Sequence, residues 1–169
     1  MEKVNGGTLE SFIKKKRILI NQRNKEISGS NKTGDKTTVD AKSNLKSENE
    51  AKRPTVIPEQ VASTITRDIC NGLHQIHKKN FIHRDLKPEN ILINESKNPD
   101  GSLPEKPEDQ YQAKIADFGL SAEVHSNVFR GQDKIVDVTG TILFMAPEQA
   151  TGQRQGKRVD MWALGIIVF

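Results

Sequence analysis

The sequence predicts an α+β fold, mainly helical, with one short antiparallel hairpin. Three observations carry that expectation. Val61, Ile65, Ile69, Leu73 and Ile76 recur at near-helical spacing, a pattern that puts them on one face of a helix. Ile91-Leu92-Ile93 and Ala113-Lys114-Ile115-Ala116 are apolar runs too short for helices, which suits paired strands. Asp160 to Phe169 opens another apolar helix.

The elements follow in chain order. Residues 1–20 hold a Gly6-Gly7 turn and then a helix, with Thr8 as its N-cap and Leu9, Phe12, Ile13 and Ile20 as its apolar face. Residues 21–57 form a polar insert. From Gln22 to Arg53 its large apolar residues are Ile27, Val39 and Leu45, too few to offset ordering entropy, so the expectation is disorder. Residues 58–93 begin with Pro58 in the first turn of the second helix. That helix should stop near Lys78–Asn80, with cations in its last turn. Residues 94–112, with Pro99, Gly101, Pro104 and Pro107, read as a flexible hairpin insert. Residues 113–148 contain the second strand and a largely irregular stretch over 120–145. Residues 149–169 start the next helices.

Composition narrows the function classes. The apolar share is 34% and the net charge is +4. Eight basic and five acidic residues lie between 22 and 53, so most of the excess charge belongs to the insert. Its acids are interspersed and no aromatics interleave to stack bases, which argues against nucleic acid. The run Met161–Phe169 is too short to span a bilayer. No secretory signal is evident, and the default is a cytoplasmic or otherwise intracellular protein. One cysteine, Cys70, excludes an internal disulfide; its place in the helical pattern predicts a buried, inert thiol.

The chemistry is concentrated in three motifs: His83-Arg84-Asp85-Leu86-Lys87-Pro88-Glu89-Asn90, then Asp117-Phe118-Gly119, then Ala146-Pro147-Glu148. Each alone is a weak match. In this order they resemble the catalytic loop, metal loop and activation-segment end of a eukaryotic-type protein kinase. The resemblance covers most of residues 1–20 and 58–169 and implies a protein-kinase-like C-terminal lobe, with the hairpin at its cleft.

That resemblance implies roles for individual residues. Asp85 would orient the substrate hydroxyl and accept its proton, and Lys87 would place a charge near the transferring phosphate. Asn90 and Asp117 would hold Mg2+ against ATP with hard oxygen ligands. Met1-Glu2-Lys3-Val4 resembles the hinge between lobes, so backbone groups of Glu2 and Val4, with Leu92, would meet adenine. His83 and Phe118 would stack internally, and Gly119 would permit the turn after Phe118. Asp160 would brace the catalytic-loop backbone. Lys87-Pro88-Glu89 and Gly140-Thr141 resemble the serine/threonine kind, with Thr141 bonded to the catalytic Asp and Lys. Met145-Ala146-Pro147-Glu148 and Asp160-Met161-Trp162-Ala163-Leu164-Gly165 lean toward calcium/calmodulin-dependent-kinase-like enzymes.

Regulation and completeness are also expectations. In the family the arginine at the Arg84 position commonly pairs with an activation-segment phosphate, placed by an upstream kinase. Here the usual acceptor position holds Asp137, which would stand in for the phosphate; the competing reading makes Thr139 the phosphosite. No Gly-rich loop or strand lysine lies upstream, and the partner expected for Glu148 lies beyond residue 169. The chain therefore reads as an incomplete kinase domain, inactive alone, acting in its parent on Ser/Thr hydroxyls of a protein substrate. The alternative is a truncated pseudokinase serving as a scaffold or regulatory binding module.

Overall fold

A computed structural model describes residues 4–30, 57–124 and 135–169 of the chain. The first helix, α1, spans Leu9–Ser30. The Thr8 hydroxyl accepts the Ser11 N–H at 3.2 Å, so it caps the helix as expected. The helix runs past the expected end at Ile20, correcting the expectation of disorder over 21–30. Gln22, Arg23 and Lys25 are good helix formers, and no proline interrupts the run. The rest of the predicted polar insert, 31–56, lies outside the described residues.

Helix α2 spans Glu59–Lys78, with Pro58 one place earlier than expected, at the N-cap. Val61, Ile65, Ile69 and Leu73 are buried as the periodicity requires. Cys70 is exposed, contrary to expectation. It follows Ile69 by about 100° around the helix, which carries it off the buried stripe. His77 and Lys78 occupy the last turn, and Asn80 turns the chain with φ 59°.

The hairpin is present. Strand β2 (Ile91–Glu95) pairs antiparallel with β3 (Tyr111–Ile115), in the register Ile91↔Ile115 to Glu95↔Tyr111. The N-terminal segment adds itself along β2: Gly6 N–H donates to Ile93 O at 3.0 Å and Ile93 N–H to Gly7 O at 2.8 Å. A Cβ on Gly6 would run into that Ile93 carbonyl, so glycine is required for the approach. A second pair was not anticipated. Strand β1 (Phe81–Ile82) pairs with β4 (Ala122–Glu123), inside a stretch read as irregular. Two-residue strands carry no periodicity to read.

Helices α3 (Pro147–Ala150) and α4 (Arg158–Val168) complete the described chain. The main core joins Leu9 and Phe12 of α1, the α2 stripe, Leu86, Ile91, Ile93, Tyr111, Ala113, Ala163 and Leu164. A smaller cluster joins Ile82, Ala146 and Val159, with Ala122, Val124 and Ile135 packed against it. No helix among the described residues is long and apolar enough to cross a membrane.

Candidate active site

The loop between β1 and β2 is irregular, and its polar groups bond to distant parts of the chain as well as to each other. Asp160, in the first turn of α4, is 1% exposed. Its carboxylate accepts the backbone N–H groups of His83 and Arg84, each at 2.9 Å. His77 of α2 closes the same carboxylate at 2.7 Å. A buried carboxylate with three partners fixes where the loop begins; an unpaired one there would cost several kcal/mol. Arg84 emerges from this brace with φ 69°, a strained value for a residue with a side chain.

Asp85 comes next, at a cleft where three side chains converge. The Lys87 ammonium donates to Asp85 Oδ2 at 2.8 Å and to the Thr141 hydroxyl at 2.8 Å. Thr141 donates in turn to Asp85 Oδ1 at 2.8 Å. The Asn90 amide nitrogen reaches Asp85 O at 2.8 Å and Asp85 Oδ2 at 3.1 Å. Burial pushes the Asp85 carboxyl up, but the bonds from Lys87 and Thr141, the Lys87 charge and the Asn90 bond outweigh it. The net result is a carboxyl held below its ordinary value. It is thus ionised at neutral pH, as an acceptor of a hydroxyl proton must be.

Both Asn90 bonds use its amide nitrogen, leaving the carbonyl oxygen as the group able to meet a cation. Asp117 follows Ala116, whose N–H donates to Asn90 O at 2.9 Å. Its carboxylate is exposed beside the loop, and its φ is 60°. Among the described residues no three His, Cys, Asp or Glu side chains gather. An amide oxygen and one carboxylate suit magnesium, which is usually held by one or two carboxylates plus substrate phosphates rather than by a protein cage.

The other expected residues fall as follows. His83 is fully buried, bonds Ala116 O through Nε2 at 3.0 Å, and meets Phe118 edge-to-face with ring centroids 5.2 Å apart. Phe118 itself is half exposed. The left-handed residue of the metal-loop motif is Asp117, not Gly119. Gly119 donates its N–H to Asp117 Oδ1 at 3.2 Å, and a Cβ there would crowd the same oxygen. Val4 and Leu92 are half-buried, with the N-terminal segment bridged to β2 at Thr8↔Leu92; Glu2 lies outside the described residues. Arg84 reaches Asp137 Oδ1 at 2.7 Å and Leu120 O at 2.6 Å. The Thr139 hydroxyl is buried without a partner among the described residues. Glu148 is half-buried in α3.

Sequence reasoning missed His77, Gln149 and Gln155. A histidine near a helix end and glutamines in a polar stretch look like solvated residues until distant chain folds over them.

The protein kinase domain model matches residues 37–169. The chain belongs to the protein kinase family. Its kinase relatives include serine/threonine-protein kinase DCLK3 of Mus musculus, 38% identical over 112 residues, or 66% of this chain and 12% of that protein. MAP kinase kinase MKK1/SSP32 of Saccharomyces cerevisiae is 35% identical over 112 residues, 66% of this chain and 18% of that protein. Serine/threonine-protein kinase ste20 of Emericella nidulans is 34% identical over 112 residues, 66% of this chain and 11% of that protein. The chain therefore spans less than a fifth of each of these kinases.

Proposed function

We propose that the protein is an ATP-dependent serine/threonine kinase that transfers the γ-phosphoryl group to a hydroxyl of a protein substrate. The observation that carries this reading is the Asp85–Lys87–Thr141 cluster, with each contact at 2.8 Å. Asp85 receives the substrate hydroxyl and takes its proton, while Asn90 and Lys87 hold the carboxylate at one angle. Lys87 faces the phosphoryl group in flight and offsets its charge. Asn90 and Asp117 hold magnesium, which when bound neutralises the phosphates of ATP. Backbone groups of Glu2 and Val4, with Leu92, take the adenine. His83 and Phe118 hold the metal loop inward.

Asp137 serves as the fixed partner of Arg84, doing without an upstream kinase what a phosphate would otherwise do. The buried Thr139 hydroxyl favours this over phosphorylation at Thr139. The 1–169 chain alone is poorly stable and inactive. Met161, Trp162, Ile166 and Val168 of α4 are exposed apolar surface, which suits burial against further protein. The parent protein works in the cytoplasm or another intracellular compartment.

The test is phosphate transfer by the full-length protein from radiolabelled ATP to a generic protein substrate, with phosphoamino-acid analysis. Labelled serine or threonine, lost by a factor of about 100 or more in Asp85→Asn, is the expected result. A wild-type protein that binds ATP but transfers nothing would overturn the reading.

A further inference from the structure

We propose that two buried glutamines, Gln149 and Gln155, are positioning residues that set the activation segment against the catalytic loop, so that Thr141 meets Asp85. The inference rests on the kinase reading above and concerns what holds that site in shape.

Residues 135–139 run without regular secondary structure. Their carbonyls at alternate positions nonetheless all find donors on one stretch of chain. Ile135 O accepts the Gln155 backbone N–H at 3.1 Å. Asp137 O accepts Gln155 Nε2 at 2.8 Å, and Thr139 O accepts Gln149 Nε2 at 2.5 Å. In a sheet a neighbouring strand would supply donors along such an edge. Here two side-chain amides take that place. Both side chains belong to nearly inaccessible residues, 2% exposed for Gln149 and 3% for Gln155.

Gln149 does more than fill an edge. Its amide nitrogen also donates to Arg84 O at 2.7 Å, the carbonyl just before Asp85. One amide group therefore bridges the activation segment to the catalytic loop. Two carbonyls face it, so the group must be a double donor, which glutamine supplies and glutamate or methionine does not. Gly140 supports the same reading. With φ 117°, a Cβ there would lie 2.7 Å from Arg84 O and 2.9 Å from Gln149 Nε2. The turn closes directly on the amide, and the next residue, Thr141, then reaches Asp85 and Lys87. The effect on chemistry runs from Gln149 through Gly140 and Thr141 to Asp85.

The experiment uses the full-length protein with Gln149→Met and Gln155→Met, each also combined with Thr141→Ala. The exposed Gln153→Met is the control. Two readouts are taken: steady-state kinetics, and amide hydrogen exchange over residues 135–144, which needs no turnover. Gln149→Met is expected to lower kcat roughly tenfold by misplacing Thr141, with KM for ATP within about twofold of wild type. The Gln149→Met/Thr141→Ala double variant should be no slower than Thr141→Ala alone, and exchange at 139–142 should quicken. Losses that multiply in the double variant, or a KM that moves with kcat, would reduce the glutamine to general stability. Unchanged exchange would overturn the proposal even if the wild-type protein transfers no phosphate, a result that would count against the kinase reading separately. Should Gln149→Met fail to fold, Gln155→Met is read by the same criteria.

Discussion

Two irregular stretches of this chain contrast sharply. The catalytic loop, Ile82 to Asn90, and the hairpin insert, Ser96 to Gln110, both lack extended regular structure. The hydrogen bonds of the insert are local, although its Pro107–Asp109 turn packs against α2. Asn98 bonds Ser102, Asp100 bonds Ser102 and Gln110 bonds Pro104 O. The catalytic loop has local bonds too, from Lys87 and Asn90 to Asp85, but it is also held from far away in sequence, by His77 through Asp160, by Ala116, by Gln149 and by Thr141. Local bonds shape a loop without fixing it to the rest of the molecule. Long-range bonds fix side chains relative to other elements, which in-line phosphoryl transfer requires.

The contrast is broken most severely at Asp160. Asp160→Ala should strand the buried His83 N–H, the partly buried Arg84 N–H and His77, destabilising the full-length protein by about 3 kcal/mol or more. Urea unfolding and turnover should both report it, and a wild-type midpoint would show that the brace is dispensable. Thr141→Ala comes next, with an order-of-magnitude loss in kcat. Its pH dependence sharpens the point. The folded Asp85 carboxyl lies below its ordinary 3.8. The stability this contributes is present above the unfolded value and is lost as pH falls through the folded one. Removing the Thr141 bond raises the folded value, so the acid limb of kcat/KM should move to higher pH; an unmoved limb would contradict the assigned bond.

A smaller effect is expected at Asp137, whose side chain is 55% exposed in its pair with Arg84. A half-exposed pair contributes up to about 1 kcal/mol, so Asp137→Ala should reduce kcat by roughly threefold to fivefold. Thr139→Ala should leave kcat near wild type in the same assay. If the threonine change alone lowers activity, Asp137 is not the switch. Smallest of all is the insert. Replacing residues 98–102 with a two-residue Asn-Gly turn should change stability by no more than about 0.5 kcal/mol and leave turnover unaltered. A large loss there would mean the insert does more than close a hairpin.

Much of the fold was legible because its signals are periodic or covalent. The α2 stripe, the β2–β3 pair and the Thr8 cap were read from spacing and residue type. The first motif kept Asp85, Lys87 and Asn90 together because a short loop cannot carry its residues far apart, and the pairing of β2 with β3 brings Ala116, next to Asp117, onto Asn90. The β1–β4 pair, the exposure of Cys70 and the extension of α1 to Ser30 were not legible. Each turns on packing or on a helix end that propensity leaves undefined.

By itself, then, the sequence determined which groups could do chemistry and which faces had to be buried, since residue identity and period are local properties. Tertiary structure alone decided which polar side chains would be withdrawn from water to hold them. His77, Gln149 and Gln155 carry no mark of that role in the chain. Their importance arises where α4 and the activation segment close over the catalytic loop, because a buried donor or carboxylate acquires its energetic weight from the water it loses.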